Sequence, residues 1–254
     1  MDIRSSKKIL ILVFILTIIN IKASYAYCNH LYNGELENLN TNNQQEVSTE
    51  SSRSKKIAYI TIDDGPSKYT EDILKILNKY NAKGTFFLID QNMKNYPDQV
   101  KQIVESGNAA GLHSVSHDIH KLYESTNSAK EEFDLNNQTF YNITGKYSSL
   151  VRLPYGSKPY TPTDTFDSLV DAGYKVWDWN IDTQDWKSTS NEILENTKKY
   201  SKNKNEIVLL IHEKKQTVEA LDSLISYLVN EGYELLPINE YQEPKNFWLK
   251  NLYK

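Results

Sequence analysis

Asp63 and Asp64 stand side by side in TIDDGPS, directly after the apolar run Ile57–Ile60, and His113 and His117 lie four residues apart in HSVSH. By itself an adjacent acid pair is more often a solvated loop or a helix cap, and an HxxxH by itself is a weak signal. Together they suit a metal site. Two imidazoles one helical turn apart can reach a single point, and one carboxylate completes a three-ligand set with a position open to water. HSVSH lacks the Glu that follows the first His in HExxH zinc proteases, so a base has to come from elsewhere. The other acid of the pair meets that need, because neighbours on an extended chain point different ways and can divide the work.

Three further motifs add what hydrolysis of an amide or ester requires. RLPYG supplies Arg152, which can hold a carboxylate ionised, and after the rigid Pro154 the backbone N–H of Tyr155 is a candidate oxyanion donor. LLIHE places His212 directly after a buried-looking strand. A lone histidine there is more often structural, but an acidic partner would raise its pKa and keep it ready to protonate a leaving amine. DTQDW offers Asp182 and Asp185 as that partner.

These motifs need a frame that brings strand ends together. From Lys55 onward short apolar runs alternate with helical patterns. Strand-like runs at 57–62, 85–89, 150–153, 174–181, 207–211 and 233–237 are separated by helical spacing at 69–80, 97–106, 128–141, 162–172, 191–200 and 218–230. Repeated βα units predict a parallel sheet, open or closed into a barrel, and in either case ligands gather beyond the C-terminal strand ends. Asp63 and Asp64, Arg152, His212 and the DTQDW acids all fall at such ends.

The remainder of the chain bounds the setting. Basic residues before the apolar stretch Ile9–Ile21, then Ser24-Tyr25-Ala26, make residues 1–26 read as a secretory signal peptide, with an uncleaved anchor as the alternative. Residues 27–54 are polar and without apolar period, a disordered linker. The folded domain is expected over 55–242 with a tail at 243–254, whose NFWLKNLYK could dock on the domain or touch an envelope surface. Cys28 is the only cysteine, so the core and not a disulfide must hold the fold. A formal net charge of -4 argues against a nucleic-acid partner.

In order, TIDDG, HSVSH, RLPYG, DTQDW and LIH resemble the five motifs of the polysaccharide deacetylases, the NodB-homology domains of carbohydrate esterase family 4. The resemblance spans about residues 55 to 240. It implies a distorted (β/α) barrel of the α/β class, a single catalytic domain, and one divalent metal, usually zinc with cobalt or nickel as substitutes, removing acetyl groups from polysaccharides. Carried over by position, Asp63 resembles the general base, Asp64, His113 and His117 the metal ligands, and Arg152 the residue that orients the base. Tyr155 resembles the oxyanion donor, Trp186 and Leu210 the groove for the acetyl methyl, and His212 the general acid with Asp185 as its partner ahead of Asp182. Two positions depart from the family: Ile62 stands where Phe is common, and Asp90 replaces a small residue and is expected to alter the groove. His120 is read as a surface residue.

The resulting expectation is a secreted or envelope-facing monomer that deacetylates N-acetylglucosamine units, most plausibly in peptidoglycan, with a chitin-like polymer as the other N-acetylated candidate. The rivals are an O-acetyl esterase on xylan, a sugar-binding protein with a decayed site, and an iron(II) oxygenase using the same ligands, for which the second acid would have no task.

Overall fold

The structure is a computed structural model and describes residues 55–252; the signal segment 1–26, the linker 27–54 with Cys28, and residues 253 and 254 lie outside the described residues. Strand β1 (Lys56–Gly65) is buried along most of its length, as a strand covered on both faces must be. Its side chains alternate. Ala58, Ile60 and Ile62 enter the main apolar core. Tyr59 faces a second cluster with Phe87, Trp177 and Val208, and alternation puts Thr61 and Asp63 on that same inner face. Strand β7 (Glu206–His212) repeats the pattern, with Ile207, Leu209 and Ile211 outward and Val208 inward.

The other strands are β2 (Thr85–Leu88), β3 (Ala109–Leu112), β4 (Leu150–Val151), β5 (Lys175–Val176), β6 (Ile181–Asp182) and β8 (Tyr233–Leu235). Between them in sequence come helices α1 (Thr70–Lys79), α2 (Asp90–Asn95), α3 (Pro97–Glu105), α4 (Ile119–Leu122), α5 (Ser128–Thr144), α6 (Thr163–Asp171), α7 (Ser190–Ser201) and α8 (Lys215–Asn230). Every strand pairing is parallel, in the order β5-β4-β3-β2-β1-β7-β6, with β8 joining the start of β1. Strands β5 and β6 end the order and do not pair with each other, so the barrel is distorted and open along one seam. The apolar run 174–181 is thus two short strands with buried Trp177 and Asp178 between them. Strand β3 escaped the sequence pattern because AAGL has neither alternation nor bulk.

Gly111 of β3 illustrates how tightly the interior is filled. A Cβ there would lie 2.6 Å from the Phe87 ring and 3.0 Å from the Leu150 carbonyl oxygen. We expect Gly111→Ala to destabilise the domain by about 1–3 kcal/mol, the usual cost of overpacking. A shift of the urea midpoint with unchanged slope checks this; an unmoved midpoint would mean that Phe87 can yield.

Beyond residue 242 the described chain belongs to the same compact unit. Leu252 is buried, and the Asp178 N–H donates to the Lys245 carbonyl at 2.8 Å. The segment read as a tail is therefore docked on the domain.

Candidate active site

Inward alternation along β1 delivers the Asp63 carboxylate to the C-terminal mouth of the barrel, where only 3% of the residue remains exposed. The ladder with β2 is irregular between Ile62 and Gly65, and Asp64 adopts the left-handed conformation with φ 66°. Asp tolerates that region better than most residues. The Asn92 side-chain amide donates to the Asp64 carbonyl at 2.8 Å and holds the turn. This break in alternation lets both neighbouring carboxylates line one cavity.

HSVSH lies in a loop and not on a helical turn, contrary to the sequence reading. Ser114 and His117 have φ of 70° and 52°, and these reversals bring the two rings to a centroid separation of 5.0 Å. Helix α5 holds the loop. Glu132 accepts from the Val115 and Ser116 N–H groups at 3.0 and 2.8 Å, and Asn136 donates to the Ser114 carbonyl at 2.5 Å. The His113 Nδ1 lies 2.7 Å from the Arg152 carbonyl, which can only accept, so Nδ1 carries the proton and the Nε2 lone pair faces the cavity.

Asp64 Oδ1 is 3.5 Å from His113 Nε2 and 3.4 Å from His117 Nε2, and Asp64, His113 and His117 form a group able to hold a metal ion. A tetrahedral ion bound at about 2.0–2.2 Å sets its donors roughly 3.3–3.6 Å apart, so these spacings fit one. Asp64 Oδ1 is also buried without a hydrogen-bond partner among the described residues, an expensive state that a cation would relieve. Burial pushes the Asp64 carboxyl up, but the charges of His113, His212, His117 and Lys214 together hold it below its ordinary value. Burial, aided by the charge of His113, lowers the pKa of His117 and favours the neutral, ligating form.

Arg152 is fully buried beneath the acids. Its Nη1 donates to Asp63 Oδ1 at 2.9 Å and to the Thr61 hydroxyl at 2.6 Å, while Nε and Nη2 donate to the Trp177 and Asp178 carbonyls at 3.0 and 3.1 Å. The guanidinium packs over Phe87, 4.2 Å from the ring centroid. Across the mouth, His212 Nδ1 and Asp185 Oδ1 lie 2.7 Å apart, with Asp185 Oδ2 accepting from Thr217 at 2.6 Å. Burial alone would lower the His212 pKa, but the hydrogen bond and charge of Asp185, with Asp63 and Asp64, raise it. Asp182 instead accepts from the Gln184 N–H at 2.7 Å and lines the cavity.

The cavity measures about 620 Å³. Leu210 forms a buried wall, while Tyr155 and Trp186 are exposed at its rim. Tyr155 has φ 65°, and its ring sits 5.2 Å from that of His117. Every site residue named from the sequence lies at this mouth, with Asp185 and Arg152 immediately behind its lining. Sequence reasoning missed Thr61, Asn92, Glu132 and Thr217, whose roles arise only from pairing across the fold. It also missed Glu213, which binds Ser67 and Thr70 and whose carboxyl burial pushes up to about 7. Asp90 does not line the cavity: it is buried at the start of α2, where it pairs with Lys94 at 2.6 Å and accepts from Thr139 at 2.5 Å. His120 is exposed.

The family model described as polysaccharide deacetylase matches residues 50–177. A peptidoglycan-N-acetylglucosamine deacetylase of Bacillus cereus is 37% identical over 210 residues, covering 78% of this chain and 76% of that protein. The crystal structure of the polysaccharide deacetylase Bc1974 from Bacillus cereus aligns with a TM-score of 0.74 at 37% identity, over 78% of this chain and 100% of that one. The catalytic domain of a peptidoglycan N-acetylglucosamine deacetylase from Eubacterium rectale aligns with a TM-score of 0.71 at 26% identity, over 80% and 98%. Its ordered motifs, its parallel half-barrel and these likenesses agree, and the chain belongs to the polysaccharide deacetylase family of hydrolases.

Proposed function

We propose that this protein removes the N-acetyl group from N-acetylglucosamine units of peptidoglycan outside the cytoplasm. One observation carries the reading: an Arg152-bound carboxylate beside a candidate metal triad faces an Asp185-bound imidazole across a single cavity. Those are the places for a base and an acid on opposite sides of an amide. Similarity to the peptidoglycan-N-acetylglucosamine deacetylase of Bacillus cereus supports peptidoglycan as the polymer. Residues 1–26 supply the expected route of export.

Asp64, His113 and His117 would hold a divalent cation, zinc by the two-imidazole, one-carboxylate donor set, with cobalt or nickel able to substitute. When bound, the cation supplies Lewis-acid polarisation of the acetyl carbonyl and lowers the pKa of a water in the site. Asp63 takes the proton of the attacking water, and the hydrogen bond from Arg152 aims that carboxylate. The Tyr155 backbone N–H stabilises the oxyanion. Leu210 and Trp186 enclose the acetyl methyl and exclude water. His212, kept protonated by Asp185, donates its proton to the departing amine. All these groups come from one chain, so a monomer suffices.

Acetate release from N-acetylglucosamine oligomers tests the reading. Metal-stripped protein is expected to release none and zinc-reloaded protein to recover. A panel of peptidoglycan, chitin oligomers and acetylated xylan then identifies the polymer. Release from xylan alone would make the protein an O-acetyl esterase, and tight oligomer binding without release by the zinc-loaded form would make it a sugar-binding protein.

A further inference from the structure

The turn that carries Tyr155 is gripped from behind by a segment far away in sequence. The Asp178 carboxylate, fully buried between β5 and β6, accepts from the Ser157 N–H at 2.8 Å and the Ser157 hydroxyl at 2.5 Å through its two oxygens. It also accepts from the Phe247 N–H at 2.8 Å. The Trp248 indole N–H donates to the Ser157 carbonyl at 2.9 Å. Gly156 has φ 87°, and a Cβ there would come within 3.0 Å of Trp179 and 3.1 Å of Phe247, so the turn is packed as well as bonded. Trp248 is itself fixed, stacked on Phe166 of α6 at 5.0 Å.

The same segment occupies the seam that the strands leave open. Besides the Asp178–Lys245 bond, the Asn246 side chain donates to the Val176 carbonyl at 2.9 Å and the Asn180 side chain donates to the Leu252 carbonyl at 3.0 Å. Arg152 ends on this scaffold too, through the Trp177 and Asp178 carbonyls. A backbone N–H works as an oxyanion donor only when held where charge develops, and displacement of about 1 Å can cost ~10²-fold in rate. The left-handed Tyr155 has to be held against its own preference.

We propose that Trp248, with Asp178 as the shared acceptor, is a positioning residue for the Tyr155 turn, so that residues 243–252 complete the active site. The catalytic part of this inference rests on the deacetylase reading. The test is Trp248→Phe in the full chain, which keeps an aromatic ring on Phe166 and removes the indole N–H, with Asp178→Asn as the second variant. We expect faster amide hydrogen exchange at residues 155–158, joined by Phe247 in Asp178→Asn because its N–H shares that acceptor, unchanged zinc affinity and KM, and kcat lowered about 10-fold, less than the ~10²–10³ cost of losing an oxyanion donor outright. Unchanged exchange in that turn in both variants would overturn the proposal, and so would a kcat that falls only in step with zinc content. Exchange needs no turnover, so a zinc-loaded wild type inert towards N-acetylglucosamine oligomers would sink the deacetylase reading while the exchange data still decide whether the turn is gripped.

Discussion

Asp63→Asn is expected to lower kcat on N-acetylglucosamine oligomers by about 10²–10⁴-fold, the range for a lost general base, while zinc affinity stays within a few-fold of wild type. The separation follows from the geometry. Asp63 Oδ2 is 3.8 Å from His113 Nε2, whereas Asp64 Oδ1 is nearer to His113 and is the oxygen that also faces His117. An Asn side chain keeps the shape and can still accept from Arg152, but it cannot take a proton from water. Breaking a buried ion pair can itself cost roughly 3–5 kcal/mol. Here Arg152 keeps Thr61 and two backbone carbonyls as acceptors, so the variant should fold. Zinc titration beside single-turnover acetate release is the measurement. Parallel loss of metal and turnover would reverse the division of labour between the two acids.

His212→Ala should cost an N-acetyl substrate about 10²–10³-fold and an O-acetyl substrate of the same sugar roughly ten times less, because an amine leaves only when protonated and an alkoxide needs less help. Asp185→Asn gives the matching pH signature. The acid must be protonated to act, so turnover falls as pH rises through the His212 pKa. Asp185 is the main group raising that pKa against burial. Removing its charge should therefore move the alkaline limb to lower pH. Equal losses on amide and ester, or an alkaline limb that stays put, would remove His212 from the acid role.

The βα rhythm was legible because most strands of the inner layer, β3 excepted, lie in runs of apolar residues between helical patterns, and that rhythm is enough to put the chemistry at the strand ends. Ligand spacing was legible too, but for a partly wrong reason. His113 and His117 meet through the left-handed residues Ser114 and His117 and the grip of Glu132, and nothing local in HSVSH announces either. The preference for Asp185 over Asp182 could not come from spacing, since the difference lies in a bond between β7 and the turn after β6. Asp90 was expected to alter the groove because it stands where the family commonly has a small residue; instead the chain turns into α2, and Lys94 and Thr139 claim the carboxylate. Residues 243–252 looked like a tail because their partners, Asp178 and Ser157, lie far away in sequence and no local pattern links them to that segment.

The two-residue alternation of β1 has a consequence for how this protein can change over time. Its helix-facing residues Ala58, Ile60 and Ile62 answer only to volume, so that half of the strand can be rewritten with other apolar residues that repack to the same size. Its barrel-facing residues Thr61 and Asp63 answer to hydrogen-bond geometry with Arg152 and have no such synonyms. One ten-residue strand thus carries two interleaved texts written under different grammars. Losing or gaining a single residue within it would exchange them, sending Asp63 into the apolar layer under the helices and Ile62 against the buried Arg152.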